Sequence, residues 1–160
     1  MRVVFCLDGP TASMIRVVAG AAVALQLETA EITLLHVVDS GPRHLVDLPR
    51  ARPGRPPLPP ERRRSLDAAE RERAEEVLAA AREALRPDLP HAAFSGQVLA
   101  GRPEQEIVRY LDRIAADVAV LGARPGGQPG PASLGHVARF VLDHTLCSVL
   151  LVRPGAARDV

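Results

Sequence analysis

The side chains that enzymes use for covalent or metal-assisted chemistry are sparse in this chain. Its 20 lysine-or-arginine residues are all arginine, and the missing lysine excludes both a Walker A phosphate loop and Schiff-base chemistry. No serine lies on a nucleophile elbow, and no group of histidines, cysteines and acids has metal-ligand spacing. We therefore expect no catalytic residues and no metal site, although slow ATP hydrolysis would need few protein groups.

The cysteines and two of the histidines occupy positions that are typical of structural roles. Cys6 and Cys147 each lie in an apolar run, as buried free thiols in a reducing compartment usually do. His36 also lies in an apolar run and is expected to be a hydrogen-bonded core residue. His144 follows the last predicted helix, where a positive charge interacts favourably with the helix dipole.

Apolar periodicity divides the chain into alternating strands and helices. Nearly continuous apolar runs such as 31–38 are typical of parallel strands that are covered on both faces, and 3.6-residue spacing marks the helices. The predicted strands are 2–7, 31–38, 92–99, 117–121 and 147–152, and the predicted helices are 11–27, 61–85, 103–115 and 133–143. In the second helix the predicted buried stripe is Leu66, Ala69, Ala74, Val77, Leu78, Ala81 and Leu85.

This alternation predicts an α/β fold, namely an open doubly wound sheet of five parallel strands with helices on both faces. Such sheets bind ligands beyond the carboxyl ends of the strands, where the strand order reverses. The loops after Leu7 and after Leu121, here called the two lips, are the candidates for that place. Asp8 and Gly122 on neighbouring strand ends predict the order 3-2-1-4-5. Asp8 is alternatively a turn residue that caps the following helix.

Length and composition are those of one domain with one core. The chain has 160 residues, 47% of them hydrophobic, and a formal net charge of +1, so a dedicated nucleic-acid binder is not expected. We find neither a signal-peptide pattern nor an apolar segment of membrane-spanning length, and we expect a cytoplasmic protein without a membrane partner. The proline- and arginine-rich stretch 40–60 is predicted to be a flexible insertion, and 155–160 is predicted to be a tail.

Several short motifs together resemble the universal stress protein family. They are VFCLDG at 4–9, LLHVVD at 34–39, GRPE at 101–104, ADVAVLG at 116–122, and a tail from HVA at 136–138 to CSVLLV at 147–152. Their order matches over nearly the whole chain, so 1–154 is interpreted as one such domain. The resemblance implies homodimers joined through the last strand, Cys147–Val152. It also implies that one subset binds ATP or a related adenine nucleotide, with or without Mg²⁺.

In the ATP-binding subset the signature is glycine, two residues, glycine, nine residues, glycine, and then serine or threonine. On this chain it falls on Gly122, Pro125, Gly135 and His136, so one glycine and the hydroxyl residue are replaced. A phosphate loop needs free N–H groups that point at oxygen atoms, and proline has none. We therefore expect any ATP affinity to be lower, by about a hundredfold or more, than with an intact signature.

Part of that loss could be recovered locally. A one-residue shift would let Gly126 replace Pro125, Arg124 could supply positive charge, and the ring of His136 could meet an anion. At the lip after Leu7, the resemblance implies that Asp8 faces the nucleoside. It also implies that Val38 lines the adenine pocket, although Val38 is alternatively a plain core residue. The candidate nucleotide-binding residues are Cys6, Leu7, Asp8, Val38, Leu121, Gly122, Arg124, Gly126, Gly135, His136 and Val137.

The function expected from this resemblance is a stress-response module that responds to nucleotide and has a degenerate phosphate loop. The alternative is a relative that binds no nucleotide and acts through dimerisation and contacts with an unknown protein partner. Pro125 and His136 favour the alternative, whereas Asp8, Gly122 and Gly135 favour the first function.

Overall fold

The computed structural model describes residues 1–8, 30–39, 60–122 and 135–152, with side chains from 67 onward in the third of these ranges. The predicted helix at 11–27, the insertion before residue 60 and the tail at 155–160 lie outside them. The described elements are β1 (Arg2–Leu7), β2 (Glu31–Asp39), α1 (Pro60–Leu85), β3 (Ala93–Gly101), α2 (Pro103–Ile114), β4 (Val118–Gly122), α3 (His136–His144) and β5 (Ser148–Val152).

The five strands form one parallel sheet in the order β3-β2-β1-β4-β5. The predicted fold class and strand order are therefore confirmed. β1 is the central strand, with Cys6 opposite Leu121 on β4 and Leu7 opposite His36 on β2. The chain moves from β1 toward β2 on one side and from β4 toward β5 on the other, so the strand order reverses between β1 and β4.

Alternate side chains of the strands enter two separate cores. Val3 and Phe5 of β1 pack on the α1 side of the sheet, and Val4 and Cys6 pack on the side of α2 and α3. Both valines and Phe5 have no solvent exposure, and burying side chains of this size stabilises the fold by about 1.5–3 kcal/mol each. Coverage of both faces explains why β1 has an uninterrupted apolar sequence.

Among the described side chains of α1, from residue 67 onward, those that cover the sheet begin at Ala74. Five positions of the predicted stripe, from Ala74 to Leu85, are buried, but Ala69 is exposed, so the prediction is wrong there. The helix has 26 residues and is about 39 Å long, whereas a strand of nine residues spans about 30 Å. The sheet is therefore too short to cover the whole helix. Gly96 on β3 allows close packing, because a Cβ there would lie 3.1 Å from Leu78 Cδ1.

The amino edge of the sheet is closed by contacts between the first strand and the segment before β4. The Arg2 amide donates to Asp117 Oδ2 at 2.6 Å, and the Asp117 amide donates to the Arg2 carbonyl at 2.9 Å. The Arg2 guanidinium donates to the Ile114 carbonyl. These bonds fix β1 against β4 at the end opposite to the predicted site. None of the helices described is long and apolar enough to cross a membrane.

Gly101 joins β3 to α2 in a conformation that favours glycine. Its φ is +154°, and a Cβ would lie 2.7 Å from Glu106 Cγ. Replacing Gly101 with alanine is expected to lower the free energy of unfolding by about 1–2 kcal/mol, because both the backbone and Glu106 must shift. Urea unfolding measures this change.

The matched control is Gly135→Ser. Gly135 has an ordinary φ of −55° and open space where a Cβ would be built. A serine there can also cap α3, so stability should stay equal or rise by a few tenths of a kcal/mol. Equal destabilisation by the two variants would contradict the conformational role of Gly101.

The β5 strand is an edge strand with an apolar sequence, since it pairs only with β4 among the strands described. Its residues Val149–Val152 are half-buried, whereas Gln97 on the opposite edge strand β3 is exposed. Exposed apolar edges pair readily with another chain. A homodimer in which two β5 strands pair antiparallel about a two-fold axis thus stays our prediction.

Sedimentation velocity tests the dimer. Val149→Lys should shift the protein toward monomer because it places a charge at the predicted interface. Gln97→Lys, on the other edge, should leave the dimer intact. A wild-type protein that is monomeric at all concentrations would contradict the prediction.

Candidate functional site

The carboxyl ends of β1 and β4 lie side by side and form the floor of the candidate site. Because Cys6 is opposite Leu121, Leu7 and Gly122 end their strands at the same level. The Cys6, Leu7 and Leu121 side chains are buried, Asp8 is exposed and Gly122 is half-exposed. Three of the predicted residues can therefore face a ligand only through their backbone, and Asp8 supplies the accessible side chain of this group.

Burial disfavours the thiolate form of Cys6. Desolvation, and to a lesser degree the charge of Cys147, raises the pKa of Cys6 to about 12. The thiolate is the nucleophilic form, and it is scarce at a pH far below that value. Both cysteines are free, and Cys6 is buried as predicted, whereas Cys147 is only half-buried.

His36 holds the last residue of β1 in place. Its Nδ1–H donates to the Leu7 carbonyl at 2.9 Å, because a carbonyl can only accept and the ring nitrogen must carry the proton. Leu7 directly precedes Asp8, so this bond fixes the backbone at the start of the lip. The predicted hydrogen-bonded role of His36 is confirmed, although the residue is half-buried rather than fully buried.

Strand β2 continues beyond the end of β1 and forms a wall at the site. Leu7 is opposite His36, whereas β2 runs on to Asp39, three residues farther, or about 10 Å. Val38 lies in this extension opposite Ala100 of β3 and is half-buried. Its position is compatible with both predictions made for it, the pocket wall and the core.

Helix α3 begins with an uncapped turn. Gly135 is its N-cap residue and offers no side-chain hydrogen bond, and the first turn contains no acid. The first backbone N–H groups of a helix have no partner within the helix and carry partial positive charge. His136 is exposed, whereas Val137 packs against the core. Val137 can therefore meet a ligand only through its backbone.

Glu104, which is not among the site residues predicted from the sequence, lies against His136. Glu104 Oε1 of α2 is 3.7 Å from His136 Nε2, and the Glu104 side chain is only 17% exposed. The signal in the sequence was an acid directly after Pro103, in the first turn of a helix. That signal indicates a helix start but does not reveal which other helix start lies beside it.

The C-terminal end of α3 contains a second histidine contact. His144 Nδ1–H donates to the Phe140 carbonyl at 2.8 Å, and the two rings stack with centroids 3.9 Å apart. This contact satisfies a carbonyl of the last turn. It is remote from the start of α3, so His144 does not join the site.

The remaining predicted site residues, Arg124 and Gly126, lie outside the described residues, as does Pro125. Within the part of the chain that is described, no group of three or more histidine, cysteine or acidic side chains could hold a metal ion. What the described residues bring together is a pair of adjacent strand ends with one exposed carboxylate and an apolar wall, and Val137 at the start of α3 packs on the same face of the sheet as Cys6 and Leu121. This combination suits binding of a small molecule with an anionic end.

The family pattern of universal stress proteins matches residues 1–153. The chain belongs to the universal stress protein family. The resemblance seen in its motifs is thereby confirmed over almost the full length. No curated protein sequence matches the chain.

Solved universal stress proteins share the fold of this family member at low sequence identity. UspA from Lactobacillus plantarum is 20% identical, with a TM-score of 0.69 and coverage of 96% of this chain and 97% of that one. A universal stress protein family protein from Arabidopsis thaliana, solved with AMP bound, is 17% identical, with a TM-score of 0.64 and coverage of 98% and 93%. The universal stress protein from Archaeoglobus fulgidus in complex with dAMP is 21% identical, with a TM-score of 0.60 and coverage of 95% and 97%.

The contact between His36 and Leu7 can be tested in this universal stress protein by a pair of substitutions. His36→Leu removes the donor and is expected to lower the free energy of unfolding by about 1 kcal/mol. His36→Asn keeps an N–H near the position of Nδ1 and should retain most of the stability. Urea unfolding compares the two, and a leucine variant as stable as the asparagine variant would rule out this role of the hydrogen bond.

Proposed function

We propose that the protein is a regulatory module that binds an adenine nucleotide between the lip after β1 and the start of α3. The nucleoside contacts Asp8, the backbone of Cys6 and Leu7, and the wall at Val38. The phosphate lies toward Gly122 and the α3 start at Gly135. The observation that carries the proposal is the reversal of strand order between β1 and β4, with both strands ending at one level. The uncapped start of α3 supports it, because its backbone N–H groups could bind a phosphate.

The ligands of two relatives support the class of nucleotide. Their structures hold AMP and dAMP, each of which has a single phosphate. A loop in which Pro125 and His136 replace signature residues loses contacts that a triphosphate requires, but one phosphate needs fewer donors. We therefore expect a nucleoside monophosphate to bind at least as well as ATP, and Mg²⁺ to matter only for ATP.

The regulatory role follows from the two parts of the fold that a bound nucleotide would connect. One end of the ligand would contact the lip after β1, and the other would contact the start of α3. Helix α3 leads within four residues of its end to β5, the strand that we expect to form the homodimer. Ligand binding would thus favour one position of α3 and, through it, one arrangement of the partner surface. We assign no catalytic residue, and slow ATP hydrolysis stays secondary to binding.

A second candidate function is a module that acts through dimerisation and protein contacts without nucleotide. The observation that favours it is the contact between Glu104 and His136, because a carboxylate already lies beside the α3 start. Replacement of two signature residues points the same way.

Calorimetric titration of AMP separates the two functions when it is applied to Gly135→Asp and Gly135→Ser. Aspartate caps α3 and should raise the free energy of unfolding by about 0.5 kcal/mol. Its charge would occupy the place of the phosphate and lower AMP affinity at least about tenfold. Serine caps the helix without charge and should change affinity far less.

The outcomes distinguish the proposals. A more stable Gly135→Asp variant with unchanged AMP affinity would show that the phosphate does not lie at the start of α3. Absence of AMP, dAMP and ATP binding to the wild-type protein at millimolar concentration would favour the second candidate function.

A further inference from the structure

Glu104 occupies a position between two helix starts. It lies in the first turn of α2, directly after Pro103, and its carboxylate is 3.7 Å from the ring of His136, the first residue of α3. Both helix starts carry partial positive charge. The first turn of α3 contains no acid of its own, so Glu104 supplies negative charge to the start of α3 as well as to α2.

The carboxylate of Glu104 is held in place by its surroundings. Only 17% of its side chain is exposed, compared with 60% of His136. Salt and water screen charges less when they are partly buried. An anion that approaches His136 therefore meets a negative charge that cannot easily turn away into solvent.

We propose that Glu104 is a specificity-determining residue that disfavours nucleotides with high phosphate charge. This inference rests on the proposed function, because it places the phosphate near the start of α3. Repulsion grows with the charge of the ligand, so the residue weakens ATP more than AMP and leaves adenosine unaffected. The site then selects adenine nucleotides that carry one or two negative charges.

The test is a titration series at pH 8 in the presence of a metal chelator, with adenosine, cyclic AMP, AMP and ATP. At this pH the ligand charges are about 0, −1, −2 and −4. The substitution Glu104→Gln should leave adenosine affinity unchanged. It should raise AMP affinity about threefold and ATP affinity about tenfold or more.

Glu106→Gln is the matched control. Glu106 also lies in the first turn of α2 and is 23% exposed, but it pairs with Arg109 at 2.7 Å rather than with α3. Each substitution removes one first-turn acid and should have a similar effect on the stability of α2. The control should show no dependence of affinity on ligand charge.

The result that would overturn the inference is a Glu104→Gln variant whose affinity changes equally for all four ligands, or not at all, while the wild-type protein binds AMP. A residue with only a structural role would give that uniform change. Glu104→Ala, tested beside it, keeps the experiment decisive if the glutamine variant folds poorly, as checked by circular dichroism. ATP binding that appears only in the Glu104 variants would support the inference, whereas no binding to any variant would overturn it together with the proposed function.

Discussion

The parallel pairing of β1 with both β2 and β4 is the constraint on which the other features depend. Because β1 is hydrogen-bonded on both sides and covered on both faces, all of its apolar side chains are buried. A ligand of β1 can therefore contact only the end of the strand. The connections leave β1 and β4 in opposite directions, which keeps the edge between these strands free of a crossover. The lip at Asp8 and the end of β4 at Gly122 meet there.

The unequal length of the strands gives the site its shape. β1 and β4 end at one level, whereas β2 continues to Asp39 and pairs with β3 up to Gly101. The longer strands form a wall beside a floor of strand ends. At the edge of that wall, Gly101 turns the chain directly into α2, which brings Glu104 to the start of α3. A backbone conformation that glycine favours is thus linked to the electrostatics of the site.

Near Glu104, the electrostatic field comes more from the partial positive charges at helix starts than from ion pairs. Helices α2 and α3 both begin near Glu104, and they share its carboxylate. In the role that we propose for Glu104, such an arrangement would stabilise the protein without ligand and would compete with an anionic ligand. Two solved relatives hold AMP and dAMP, and the proposed role of Glu104 would be a physical means of adjusting which phosphate charge this chain accepts. The means is independent of the glycine signature.

The sequence by itself determined the strands and the parallel sheet with its order, because apolar runs and turn residues depend on local spacing. It also indicated that His36 would be hydrogen-bonded. It did not identify the Leu7 carbonyl as the hydrogen-bond acceptor of His36, because that partner depends on strand register. It did not predict that Ala69 is exposed, because that depends on the length of the sheet under α1. The contact between Glu104 and His136 joins residues that are 32 positions apart on two helices. Only the tertiary structure decided it, because helix packing and not periodicity sets which helix starts converge.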